Sequence, residues 1–187
     1  MSSREIRTDP AGVIVVDKPA GPTSFDVVRR LRSAGRIRKA GHTGTLDPMA
    51  TGVLPVCLGL ATKLAPFLQD GLKEYEGRMM LGLCTDTDDV TGRVVAKRSL
   101  HGLEPADVVQ TAAEFVGLLE QTPPDYSAVK IDGRPAHRLA RAGGMVPARA
   151  RRIEVLEFNV TAVDLPLVSF RVRVSKGTYI RSLAADL

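Results

Sequence analysis

The hydrophobic patterning predicts interleaved strands and helices, closing on an antiparallel pair of strands. Three observations carry this. Ile153 to Val160 and Leu167 to Val174 alternate, the second setting Val168, Phe170, Val172 and Val174 on one face against Ser169, Arg171 and Arg173 on the other. Glu104 to Glu120 repeats Val108, Ala112, Phe115, Val116 and Leu119 at helical spacing, with Pro105 near its first turn. Gly12 to Val16 is a β-branched run stopped by Asp17-Lys18-Pro19-Ala20-Gly21, the pattern of a buried strand entering a tight turn. With 187 residues, 44% of them hydrophobic, the chain can bury a core of ordinary size, and one domain over 1–187 is the expectation.

The remaining elements follow in order. Thr23 or Ser24 can cap a helix whose apolar stripe is Phe25, Val27, Val28 and Leu31, with arginines opposite. Gly41 to Gly52 is a loop by composition, with three glycines and a proline in twelve positions. A mostly apolar stretch from Val53 to Leu68 includes a short helix at Lys63 to Leu68, interrupted or started near Pro66. Tyr75 to Leu83 reads as a strand. Thr85 to Gly92 is a polar turn rich in carboxylates; it departs from the EF-hand ligand pattern after its first two positions, so no metal site is expected there. Leu183 and Leu187 stand one helical turn apart with no C-terminal stop signal between or after them, which predicts a polypeptide that continues past Leu187.

The charges are unevenly spread. A net charge of +5 from 26 Lys and Arg against 21 Asp and Glu conceals two blocks without carboxylates, Arg29 to Lys39 and Gly133 to Arg152. Arginine dominates both, and its planar fork suits phosphates and base stacking, so RNA is favoured over a membrane surface. No apolar run approaches the roughly 18 residues needed to cross a bilayer, and the N-terminus has no secretory apolar segment, so a cytoplasmic protein is expected. Cys57 and Cys84 lie far apart without ligand-like neighbours and read as buried small apolar residues.

Within Gly44-Thr45-Leu46-Asp47-Pro48, Asp47 is a lone carboxylate on a loop whose glycines permit close backbone approach. Near a reference pKa of about 3.9 it is ionised at neutral pH and can act as nucleophile or base. An Asp-Pro turn that merely begins the next element is the readier reading of these residues alone. The full segment Gly41-His-Thr-Gly-Thr-Leu-Asp-Pro-Met-Ala-Thr-Gly52 resembles the signature motif of the TruB family of pseudouridine synthases. Four further blocks resemble that family in order: Val16-Asp-Lys-Pro-Ala-Gly21, Lys73-Glu-Tyr75, Gln121-Thr-Pro-Pro-Asp-Tyr-Ser-Ala-Val-Lys130 and Ser175-Lys-Gly-Thr-Tyr-Ile-Arg-Ser-Leu-Ala-Ala-Asp-Leu187. The resemblance runs from about Gly12 to Leu187.

That resemblance implies an α+β domain, a mixed, largely antiparallel sheet flanked by helices, which isomerises uridine to pseudouridine at position 55 in the T arm of tRNA without a cofactor. It implies Asp47 as the catalytic aspartate, Arg181 as the arginine that ion-pairs with it, and Tyr75 as the aromatic that stacks on the target base and removes the C5 proton. A glycosidase pairs two carboxylates to activate water, whereas an isomerase excludes water and needs one. His42 is implied to fill space against flipped nucleotides and Lys18 to lie at the rim. Tyr179, two residues before Arg181 in what reads as an extended segment, is implied to pack under the pocket or hold the base. Extruding a stacked uridine costs a few kcal/mol, which the basic blocks can offset.

The resemblance further implies that residues at about 125–152 are an inserted RNA clamp carrying Arg134, Arg138 and Arg141, with Gly143 and Gly144 suited to movement. His137 departs from the tyrosine usual in the family. The expected partner is the tRNA T stem-loop, with no membrane, no metal and no obligate protein partner. Two alternatives stay open: a guide-RNA-dependent subunit of the dyskerin type, and a tRNA-binding or chaperone module without chemistry.

Overall fold

The first strand, β1 (Gly12–Lys18), pairs antiparallel along its whole length with β3 (Gly52–Leu58), from Gly12 opposite Leu58 to Lys18 opposite Gly52. The computed structural model describes residues 10–124, 126–127, 130–131, 134–135 and 149–187. They fall into two units that meet in sequence at Gly71 and Leu72, each with its own core.

In the N-terminal unit, β2 (Ala40–His42) pairs with the other edge of β3, which makes β3 the central strand of three. Helix α1 (Ser24–Gly35) connects β1 to β2. Thr23 is its cap: its hydroxyl accepts from the Asp26 N–H at 3.0 Å, and the Asp26 carboxylate accepts from the Thr23 N–H at 3.0 Å. Val27 and Val28 pack with Ile37, Leu54, Val56 and Leu58, and Leu31 lies against this cluster. Phe25, expected in the same stripe, is 63% exposed, because its position turns away from the arc shared by Val27, Val28 and Leu31. The buried-strand expectation for Gly12 to Val16 is also corrected: Val13, Ile14 and Val15 are exposed on an edge strand. β-branched residues report strand preference there, not burial. A 3-10 turn (Gly59–Leu64) and α2 (Ala65–Gln69), with Pro66 in the first turn, complete the unit.

In the second unit, β4 (Lys73–Met80) is followed by a hairpin of β5 (Leu83–Thr85) and β6 (Val94–Lys97), so the strand read through to Leu83 stops early. Helix α3 (Pro105–Glu114) leads into β7 (Gly117–Gln121); the short pair β8 (Lys130–Ile131) and β9 (Arg134–Pro135) follows. β10 (Arg151–Asp164), β11 (Leu167–Val174) and α4 (Ile180–Asp186) end the chain. The sheet order is β4-β11-β10-β7, and every strand pair among the described residues is antiparallel. The class is α+β, as expected.

Val168, Phe170, Val172 and Val174 face a core shared with Met79, Ile153, Val155 and Phe158 of the sheet, Val108 and Ala112 of α3 and Leu183 of α4. The opposite face is charged, with Arg171 paired to Glu74 and Arg173 to Glu157. The single helix expected over Glu104 to Glu120 ends at Glu114. Gly117 has φ of +125°, and residues 117–121 pair with Val155 to Arg151 of β10. Phe115 and Leu119 do pack on the core, but from a helix end and a strand, which mimics helical spacing. Cys57 is buried as expected; Cys84 is exposed on the short hairpin.

Candidate active site

The loop between β2 and β3 is held by side chains that precede it in sequence. Ser24, buried at the start of α1, accepts from the Leu46 N–H at 2.9 Å and donates to the Leu46 carbonyl at 3.1 Å. Lys18, at the end of β1, is 0% exposed. Its Nζ donates to the carbonyls of Pro19 (3.0 Å), Pro48 (3.1 Å) and Ala50 (2.6 Å), a full complement for an ammonium. The Gly21 N–H also donates to the Pro48 carbonyl at 2.8 Å, and the Ala50 N–H to the Asp47 carbonyl at 3.0 Å. Half-buried Asp47 is thus carried on a loop bonded on both sides of it.

Lys18 was expected at a rim; it lies beneath the loop instead. It stands opposite Gly52, the first residue of β3. Burial lowers the Lys18 pKa below its ordinary value, and the negative charge of Asp47 opposes that shift. His42, half-buried at the end of β2, has its pKa lowered by burial, against an opposing Gly44 backbone interaction.

The second unit holds Tyr75, Tyr179 and Arg181. Tyr75 is half-buried on the core side of β4, opposite Val172. Arg181 lies in the first turn of α4, and Tyr179 is the residue before that helix. The two therefore do not share an extended segment, and the same-side argument fails: the helix starts between them. The buried Gln121 fastens this junction, accepting from the Tyr179 N–H at 2.7 Å and donating to its carbonyl at 3.0 Å.

The Arg181 guanidinium donates to the carbonyls of Thr87 (2.8 Å) and Tyr126 (3.1 Å) and lies 3.7 Å from Asp89. Asp89 in turn accepts from the Thr87 hydroxyl (2.8 Å), the Thr91 N–H (2.8 Å) and the Thr91 hydroxyl (2.6 Å). Burial raises the Asp89 pKa, but the Thr91 and Thr87 hydrogen bonds with the Arg181 charge outweigh it, leaving the carboxyl below its ordinary value. Asp86 closes the turn by accepting from the Arg93 N–H at 2.8 Å. A Cβ on Gly92 would collide with Thr87 and Asp86, so only glycine permits this closure.

The sequence reading missed Ser24, Asp89 and Gln121 as site residues. Ser24 was signalled only as a possible cap, Asp89 only as part of a failed metal pattern, and Gln121 only by the block it opens. Arg134 lies in β9 opposite Ile131. Arg138, Arg141 and His137 lie outside the described residues. Among the described residues, no group of three or more His, Cys, Asp or Glu side chains is placed to hold a metal ion.

Residues 32–180 match the family described as TruB family pseudouridylate synthase (N terminal domain). The chain is 51% identical over 176 residues to tRNA pseudouridine synthase B of Geobacter sulfurreducens, covering 94% of this chain and 58% of that protein. It is 49% identical to tRNA pseudouridine synthase B of Clostridium tetani over 94% of this chain and 61% of that one. Among solved structures, a chain in a Cbf5-Nop10-Gar1 complex superposes with a TM-score of 0.68 at 36% identity, over 92% of this chain and 42% of that chain. A chain in an H/ACA RNP bound to a substrate RNA containing 2'-deoxyuridine gives 0.65 at 32% identity, over 92% and 40%. The chain spans about three fifths of the length of the curated relatives it matches.

Proposed function

Because the chain belongs to the TruB family of pseudouridylate synthases, we propose that it carries the catalytic machinery for converting uridine to pseudouridine at position 55 in the T arm of tRNA. The observation that carries the reading is the Asp47 loop, fixed by Lys18 and Ser24 from below. A nucleophile or base is effective when its geometry is set before the substrate arrives.

In this reading the target uridine leaves the RNA stack, and the ionised Asp47 carboxylate attacks its sugar or takes a proton from it. The bond from C1′ to N1 breaks and the detached uracil turns. A bond from C1′ to C5 then forms as the Asp47–C1′ bond breaks, or as Asp47 returns the sugar proton, and the proton lost from C5 is matched by one gained at N1. Tyr75 stacks on the base and accepts the C5 proton. Arg181 balances the Asp47 charge, Asp89 keeps the guanidinium oriented, and His42 and Tyr179 shape the space for the base. The conversion is an isomerisation without net oxidation or reduction, and this reading routes no step through a cofactor. Arg134, Arg138 and Arg141 belong to a segment that closes on the RNA stem, and the protein works in the cytoplasm without an obligate protein partner.

Mass-spectrometric mapping of tRNA incubated with the purified native protein tests this. The expected result is pseudouridine at position 55 from the wild type and none from Asp47→Asn, which still binds tRNA. Binding without product from the wild type overturns the reading in favour of a non-catalytic tRNA-binding module. Product only when a guide RNA and partner proteins are added overturns it in favour of the guided type. The stand-alone form is favoured by relatives at 49–51% identity named tRNA pseudouridine synthase B, against 36% for the chain in the Cbf5 complex.

A further inference from the structure

Helix α1 presents an unusual outer face. Phe25, Arg29 and Arg32 recur at intervals of four and three residues as one exposed stripe of the helix, and Arg36, also exposed, follows as its left-handed C-cap with φ of +50°. Phe25, at 63% exposure, stands at the end nearest the Asp47 loop, because Ser24 beside it is the residue bonded to Leu46. Beneath the stripe is a depression of about 330 Å³ lined by Phe25, Val28, Arg29, Arg32, Ser33 and Ile37. Its floor is apolar and its walls are cationic. Arg29 pairs with Asp26 at 2.9 Å yet remains 72% exposed, and the sequence from Arg29 to Lys39 contains no carboxylate.

We propose that this face of α1 is a track for the substrate RNA beyond the reacting nucleotide, with an unpaired base stacked on Phe25 over the depression and successive phosphates held by Arg29, Arg32 and Arg36. The proposal rests on the RNA-isomerase reading above and adds a second contact region to it. The chemistry favours a nucleic acid over other occupants. An exposed aromatic beside a run of arginines offers the stacking surface and the phosphate contacts by which single-stranded RNA is gripped without sequence preference. Side chains three and four residues apart stand roughly 5–6 Å apart at Cβ, within reach of neighbouring phosphates on one strand. A membrane would require a continuous apolar face, and this stripe has one aromatic residue.

The test titrates tRNA and an isolated T stem-loop oligonucleotide against the native protein at several salt concentrations. A triple variant, Arg29→Ala with Arg32→Ala and Arg36→Ala, is expected to bind tRNA more weakly, with the slope of log K against log salt reduced by about 2, the value for three single-strand phosphates. Phe25→Ala and Phe25→Leu are both expected to weaken tRNA binding about fivefold or more at unchanged slope, as loss of base stacking requires. The rate at saturating tRNA stays at the wild-type value in all three. Wild-type affinity and slope in the variants, from a protein that still binds and isomerises tRNA, overturn this proposal alone. A wild type that binds no tRNA overturns both. Phe25→Ala that lowers thermal stability while Phe25→Leu restores stability and affinity together makes the depression a packing seat and also overturns it.

Discussion

Arg181 and Asp89 lie 3.7 Å apart with both side chains about nine-tenths buried, at the meeting of helix α4 and the turn after β5. Their separation is longer than a hydrogen bond, so the attraction is one of charge, while the carbonyls of Thr87 and Tyr126 set the direction of the guanidinium. Asp89→Asn keeps the shape of the turn and removes that charge. We expect the single-turnover rate on tRNA to fall roughly 10- to 100-fold with a smaller change in affinity, the pattern of an interaction realised in the transition state. Rapid-quench kinetics with saturating enzyme measures both quantities.

The same carboxylate gives a pH dependence of stability. Its folded pKa is depressed, so the stabilisation it supplies is complete above the unfolded value near 3.9 and is lost as pH falls through the lower folded value. Urea unfolding of the wild type and Asp89→Asn should therefore show a stability gap that is constant from pH 7 to about pH 4 and narrows below it. A gap unchanged down to the acid limit would contradict the assignment.

Lys18→Met removes the ammonium and leaves the Pro19 and Ala50 carbonyls without their donor, while the Pro48 carbonyl keeps the Gly21 N–H. At about 1 kcal/mol or more for each such buried group, a loss of about 2 kcal/mol in unfolding free energy is expected, measured by chemical denaturation. Lys18→Arg should not restore it, since a planar fork cannot replace three converging N–H bonds. Pseudouridine formation should fall in both variants.

Ser24→Ala removes both bonds to Leu46 while Thr23 keeps its cap. The helix should survive, as judged by circular dichroism, while stability falls by about 1–3 kcal/mol for the two unpaired backbone groups. Thr23→Ala should do the reverse, costing about 1 kcal/mol through the helix terminus and leaving the reaction rate unchanged. Comparing rates at saturating tRNA separates the two adjacent hydroxyls.

The loop around Asp47 and the final antiparallel pair were legible in the sequence, because glycine and proline density and strict alternation are local signals. The turn at Gly117 was not. Phe115, Val116 and Leu119 satisfy a helical period by coincidence, and only pairing with β10, more than thirty residues on, reveals a strand. Phe25 misled in the same way, since an aromatic residue near a valine stripe looks like core until the direction of its side chain is known. Asp89 was seen and set aside, because a carboxylate in a failed metal pattern gives no sign that an arginine more than ninety residues later leans on it. Lys18 stood out in the sequence as a position of interest, but strand alternation at a terminal residue does not say whether an ammonium points into a pocket or under a loop.

Every bond that Lys18 makes to the loop ends on a main-chain oxygen. Such oxygens are present whatever amino acid occupies the position, so the identities of Met49 and Ala50 do not enter this anchorage. The shape of the segment can therefore persist while its side chains drift, leaving natural variation room to retune what neighbours the carboxylate without refolding its support.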